Sequence, residues 1–265
     1  MTILKATALE IRKLKRLKMN AVGLLCAVLS VVISCFQMLA VSDAERLFSV
    51  LEDAAIWNNV TLLMPFTIAL MGGYYINREF VEDTQKNIFI IPIEWNMIIK
   101  AKIVLIFLFG ALSGISEWIL CLAAGVVCGC KGINLKIIVC SFVLMIVVQI
   151  CIVTAVLPII LIASHKKGTY VWGALISMIL GVQVVFISNG KLVNFYPLTA
   201  GLVLLQFQQI PEEILNSKFA FISFIMLCFA SYLMYWILYK KELSVISCIC
   251  FYFNYRREHL CQEKK

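Results

Sequence analysis

The chain has 265 residues, of which 62% are hydrophobic and 14% charged, and its mean hydropathy is +0.96. A soluble domain is nearer half apolar and a quarter charged, so a single water-soluble globule is excluded and a bilayer is the solvent that accommodates the excess. The net charge of +8 does not indicate nucleic-acid binding, because the basic residues flank apolar runs, where they act as topology signals and meet anionic lipid headgroups.

Residues 1–19 read as a helix lying in the membrane interface. Ile3, Leu4, Ile11, Leu14 and Leu17 fall on one side of a helical wheel, and Lys5, Arg12, Lys13 and Arg16 on the other. Such a helix buries its apolar face at the headgroup boundary. Six runs long enough to cross hydrocarbon follow, at 20–41, 57–77, 102–128, 136–163, 169–188 and 218–239. The first is too long for a cleavable signal, and no small-x-small cleavage pattern follows it. The expectation is an all-α integral membrane protein with one permease-like domain over 20–239 and a basic tail over 240–265. There is no internal repeat.

Lys and Arg orient the spans. Segment 1–19, the second-to-third connection (Arg78, Lys86, Lys100, Lys102), the fourth-to-fifth connection (Lys166, Lys167) and the tail hold eighteen of them. The other side holds five, namely Arg46, Lys131, Lys136, Lys191 and Lys218. That split places both termini in the cytoplasm, as an even number of spans requires. The first outer loop then carries Asp43, Glu45, Glu52 and Asp53 against Arg46. It is either a solvated loop or an attractant for cationic peptides.

Segment 189–217 lies outside by the same count. Its stretch 198–205 is almost wholly apolar and too short to cross, and Pro197 and Pro211 bracket it. It reads as an outer re-entrant hairpin tucked against protein. Pro65 and Pro158 fall inside spans two and four, where neighbouring helices can satisfy the freed carbonyls.

Most of the eleven cysteines lie in apolar runs and serve as small packing residues. The Cys128/Cys130 and Cys248/Cys250 pairs lack the further nitrogen or sulfur ligands a metal site needs. No metal is therefore expected. Enzyme motifs are missing too: there is no H-E-x-x-H pair and no G-x-S-x-G elbow. Glu212–Glu213 resembles the E-E-x-x-x-R pattern of intramembrane CAAX-type proteases, but Ser217 stands where the Arg belongs. The glycine-rich stretch 125–132 lacks the spacing and hydroxyl of a phosphate loop, so the chain does not hydrolyse ATP alone. Glu117, mid-way along the third span, is the one carboxylate at membrane depth, where ionisable residues are costly and commonly functional. It could serve an ion-coupled carrier, or bond to Ser113, Gln149 or Gln183.

The connection NREFVEDTQKNIFIIPIEWNMIIKAK, residues 77–102, is the most specific part of the sequence. A short amphipathic helix there, with Phe80, Asn87 and Ile88 near Thr84 on one side, is a lever that a cytoplasmic partner can grip. Glu79, Asp83, Thr84, Lys86, Asn87, Ile88, Pro92 and Ile93 fill a pattern E-x-x-x-(G/D)-T-x-K-x-(I/L)-x-x-x-P. That pattern resembles the cytoplasmic coupling segment of ABC-2-type exporter permeases. Asp83 stands where family members usually have Gly, and Glu94 and Trp95 intervene before the next basic residue. The interfacial helix, the six spans and the outer hairpin are similar to that family's layout.

The resemblance implies a non-enzymatic permease paired with a cytoplasmic ATP-binding subunit that holds the ATP and magnesium. A second permease, identical or different, would complete the transporter. Charges at Glu79, Glu82, Asp83 and Lys86 would meet the ATPase. In size the chain is similar to permeases of bacterial lantibiotic and bacitracin immunity, which implies export of membrane-active peptides at the cell membrane. The competing readings are the ion-coupled carrier and the CAAX-type protease.

Overall fold

A computed structural model describes residues 3–14, 20–40, 46–81, 95–164, 168–207, 210, 215–237 and 240. The elements are α1 (Ile3–Leu14), α2 (Asn20–Ala40), α3 (Phe48–Asn58), a π-helical turn (Asn59–Leu63) and α4 (Met64–Val81). They continue with α5 (Trp95–Val127), α6 (Leu135–Ala163), α7 (Tyr170–Ile187), a 3-10 turn (Lys191–Asn194), α8 (Pro197–Leu204) and α9 (Ser217–Ile237). Among the described residues there is no strand, only an isolated bridge between Leu47 and Lys131. Six helical segments are long and apolar enough to cross a bilayer: Ala21–Ala40, Phe48–Arg78, Met97–Val127, Leu135–Ala163, Tyr170–Ile187 and Ser217–Ile237.

The second span corrects the sequence reading. It starts at Phe48, not at 57, so Glu52 and Asp53 are helical and not part of a loop. The adjacent carboxylates lower the local hydropathy and hide the helix from a window average. Its core stripe is nevertheless helical in spacing, since Phe48, Leu51, Ala55 and Ile56 are buried. Glu52 is buried with them, because Ser141 of α6 donates to its Oε2 at 2.7 Å. The helix of the third span, α5, likewise begins at Trp95, earlier than the expected 102. At 31 residues each, spans two and three are about 46 Å long, against roughly 30 Å of hydrocarbon. They must tilt or project.

Spans two, three and four make the centre. α6 packs along α5 and α4, and α7 packs along α4 and the π turn. α2 lies against α3 and α5, and α1 against α5. The largest fully buried side chains include Phe48, Leu51, Met64, Ile68, Ile106, Met145 and Ile160. Leu4, Phe36, Trp172, Phe186 and Met226 lie on the exposed outside, as lipid-facing residues do.

Close approaches set the spacing. Pro65 has no N–H for the Thr61 carbonyl four residues earlier, and the π turn absorbs the mismatch just before it. Gly181 of α7 sits over that freed carbonyl, and a Cβ there would stand 2.5 Å from the Thr61 oxygen. Gly114 of α5 similarly lets the Met145 and Ile146 backbone approach, where a Cβ would meet atoms at 3.0 to 3.1 Å. Small residues that let helix backbones close up are a main source of packing energy in membranes.

The connections at one end are pinned. The Phe48 N–H donates to the Lys131 carbonyl at 3.1 Å, and the Lys131 N–H to the Arg46 carbonyl at 2.7 Å. The segment 189–207 folds onto the same end. Pro197 opens α8, and Leu198, Thr199, Ala200, Leu202 and Val203 are buried. The Tyr196 hydroxyl donates to the Leu180 carbonyl at 2.7 Å, and burial pushes its pKa up to about 12. Asn194 Oδ1 accepts the Asn216 N–H at 2.9 Å, and Ser223 donates to the Phe195 carbonyl at 2.9 Å. Pro211 lies outside the described residues. Of the tail only Lys240 is described, with its ammonium 3.9 Å from the centre of the Trp236 ring.

Gly181→Ala should force α7 off the π turn. The expected loss is about 1–3 kcal/mol, read as a lowered unfolding midpoint in mild detergent. Gly190→Ala, where the nearest atom would be 3.7 Å away, should leave the midpoint unchanged.

Candidate coupling base and buried polar hub

Glu79 and Phe80 fall in the last turn of α4. Glu82, Asp83, Thr84, Lys86, Asn87, Ile88 and Pro92 lie outside the described residues, as does the expected coupling helix itself. What the structure shows is the base to which that connection is attached. Three polar side chains tie this base to its neighbours.

Asn77 is fully buried, and its Nδ2 donates to the Ser164 carbonyl at 2.8 Å. The Gly168 N–H returns to Asn77 Oδ1 at 3.1 Å. One amide thus joins α4 to the turn between α6 and α7. Arg78 Nη1 donates to the Lys13 carbonyl of α1 at 3.4 Å. Lys102 of α5 is 3% exposed, and its Nζ donates to the Ile76 carbonyl of α4 at 3.2 Å. α4 is therefore bonded to α1, α5 and the 164–168 turn within a few residues of where the 82–94 connection leaves it. Sequence reasoning missed these ties. Arg78 and Lys102 read as topology charges, and Asn77 as a polar residue at a span end.

The second polar group is central. Glu117 of α5 is 1% exposed. Its Oε1 accepts from Ser30 of α2 at 3.3 Å and from Asn59 Nδ2 of the π turn. Its Oε2 accepts from Gln149 Nε2 of α6 at 3.0 Å. Ser30, Asn59 and Gln149 are themselves buried. Of the partners expected for Glu117, only Gln149 is one. Ser113 donates to the Phe109 carbonyl at 2.9 Å, and Gln183 Oε1 lies 3.1 Å from the Tyr196 hydroxyl. Ser30 and Asn59 were not anticipated. Their signal was only a polar residue inside or beside an apolar run, which does not name a partner.

Three donors from three other elements meet this buried carboxylate, where each bond is costly to leave unmade. The oxygen of each amide, Asn59 Oδ1 and Gln149 Oε1, is left without a hydrogen-bond partner. Among the described residues no group of three or more His, Cys, Asp or Glu could hold a metal.

A family model described as ABC-2 family transporter protein matches residues 7–185. The chain belongs to this family. The match covers more than half of the chain, from within α1 to the end of α7, and includes the 82–94 connection. No curated protein matches the chain. ABC-2 permeases are membrane transport components and not catalysts in themselves, and membership implies an ABC transporter with an ATP-binding partner. The 82–94 connection leaves a base already bonded to three other elements.

Asn77→Ala removes a donor and an acceptor from buried backbone groups. Each group left unpaired costs about 1–3 kcal/mol. The expected result is a clearly lowered unfolding midpoint in detergent.

Proposed function

We propose that this chain is the permease subunit of an ATP-driven exporter, and that residues 79–93 dock on a separate cytoplasmic ATP-binding subunit. The observation that carries this reading is family membership over a region that includes the connection, together with the bonded base from which the connection leaves α4. Arg78, Asn77 and Lys102 make α4 and α5 move as one with α1 and the 164–168 turn. A push at the connection would therefore tilt helices together and not bend one of them.

The excess of Lys and Arg at this end supports a cytoplasmic position for it and for both termini, with the chain in the cell membrane. α1 would lie in the inner interface, with Ile3, Leu4, Leu9 and Ile11 exposed to lipid. The 189–207 segment would close the outer side as a hairpin. A second permease, identical or different, would complete the transporter, with the substrate passing between the two. Size and layout support a peptide antibiotic of the lantibiotic or bacitracin type, or another amphipathic molecule, as the cargo, and hence a role in self-immunity. The carrier reading is less favoured, because Glu117 is enclosed and its oxygens are already taken by three side-chain donors.

Affinity purification of this chain from mild detergent, with identification of what accompanies it, tests the reading. An ATP-binding subunit should co-purify with the parent chain and be lost when Glu79 and Asp83 are both changed to Lys. A chain that emerges alone, even after gentle cross-linking in the membrane, would sink the proposal.

A further inference from the structure

At the end of the bundle that carries residues 46–53 and 127–136, α3 and α6 part around a cleft of about 800 Å³. That volume is in the range of small-molecule sites. Glu52, Asp53 and Ser141 supply polar lining, and Leu144, Val147 and Phe207 an apolar wall. Glu52 is 7% exposed. Its Oε2 is engaged by Ser141, but its Oε1 is buried and has no partner. A buried carboxylate oxygen without a donor is costly. Glu52 lines a space large enough to admit the missing donor.

The wall opposite is fixed in shape. The Phe207 ring stacks on Trp57 at 6.5 Å between centroids. Gln206, just before it, holds a left-handed backbone with φ 52°, and its N–H is bonded to the Val203 carbonyl at 3.1 Å. A non-glycine residue keeps such a conformation only where its surroundings impose it, and such positions cluster at ligand clamps.

We propose that this cleft binds an amphiphile carrying a primary ammonium group. The ammonium donates to the free Glu52 oxygen and to Asp53, and the apolar body lies along Leu144, Val147 and Phe207. A divalent cation is a poor fit, since it needs six or more oxygens and most of this lining is aliphatic. A guanidinium is a poor fit at Glu52, because its paired fork wants both oxygens of one carboxylate and Ser141 already holds one. A compact ammonium with rotatable donors needs only the single free oxygen and a second carboxylate beside it. Lys136 is exposed at the rim and repels, so it selects for ligands that enter apolar end first. Resting on the permease reading, the cleft is where a substrate of this class is taken from the outer leaflet.

The test uses the full chain in lipid nanodiscs and a twelve-carbon alkylamine with a diazirine in its chain. The same chain with a hydroxyl head serves as control, and adducts are mapped by mass spectrometry. The amine should label peptides spanning 139–147 and 205–207, well above the alcohol. Labelling should fall roughly tenfold in Glu52→Gln, which keeps an acceptor for Ser141. It should also fall in Asp53→Asn, a milder second variant, and persist in Lys136→Ala. Equal labelling by amine and alcohol, or labelling unchanged in both carboxylate variants, would overturn the proposal. Loss of labelling in Lys136→Ala alone would do the same by assigning the cleft to anions. The readout needs no ATPase. Failed labelling beside a co-purifying ATP-binding subunit removes the site and leaves the permease reading standing, and successful labelling of a chain that has no such partner does the reverse.

Discussion

The fold depends on one constraint: a carboxylate enclosed at membrane depth must find its donors inside the protein. Glu117 finds them on α2, the π turn and α6. Hydrophobic burial cannot sort helices among lipid tails that are as apolar as the helices themselves, so close packing and inter-helix hydrogen bonds do that work. Four elements converge on Glu117, and each would leave a polar group stranded in hydrocarbon if it departed. The glycine contacts act in the same region, with Gly114 beside Gln149 and Gly181 over the Thr61 carbonyl. The centre of the bundle is thereby specified in register as well as in order.

A stiff centre makes the ends the places where function can enter. At the end near Asn77, α4 is tied sideways to α1, α5 and the 164–168 turn, so the 82–94 connection leaves from a braced platform. At the opposite end α3 continues the second span past the hydrocarbon length and carries Glu52 and Asp53 with it. Each end thus holds charged or polar side chains on long central helices, and the hub lies between them on the same helices. Between the two ends the hub bonds α5 to α2, the π turn and α6. Under the proposed function, this would be a mechanical basis for linking an ATPase on one side of a membrane to a substrate on the other.

Much of this was legible in the sequence, and the reasons for the gaps are physical. Hydropathy located six spans because twenty apolar residues have few other destinations. Windows misplaced the start of the second span, where the Glu52–Asp53 pair diluted an otherwise regular stripe of Phe48, Leu51 and Ala55. Glu117 stood out because its charge is expensive at that depth. Its partners did not, since Ser30 and Asn59 are ordinary polar residues until tertiary packing brings them to α5. Asn77 and Lys102 were hidden in the same way, one as a flank residue and the other as a topology charge. The coupling pattern at 79–93 was read from residue order alone, and most of it lies outside the described residues.

The central claim, that Glu117 binds separate helices into one unit, is tested most directly by a double-mutant cycle with Gln149. Unfolding free energies would be measured in mild detergent for Glu117→Ala, Gln149→Ala and the double variant. The account predicts strong non-additivity, with a coupling of about 1 kcal/mol or more, and the double variant little worse than the poorer single one. Effects that add to within roughly 0.5 kcal/mol would mean that the two side chains act independently, and the hub would not organise the bundle.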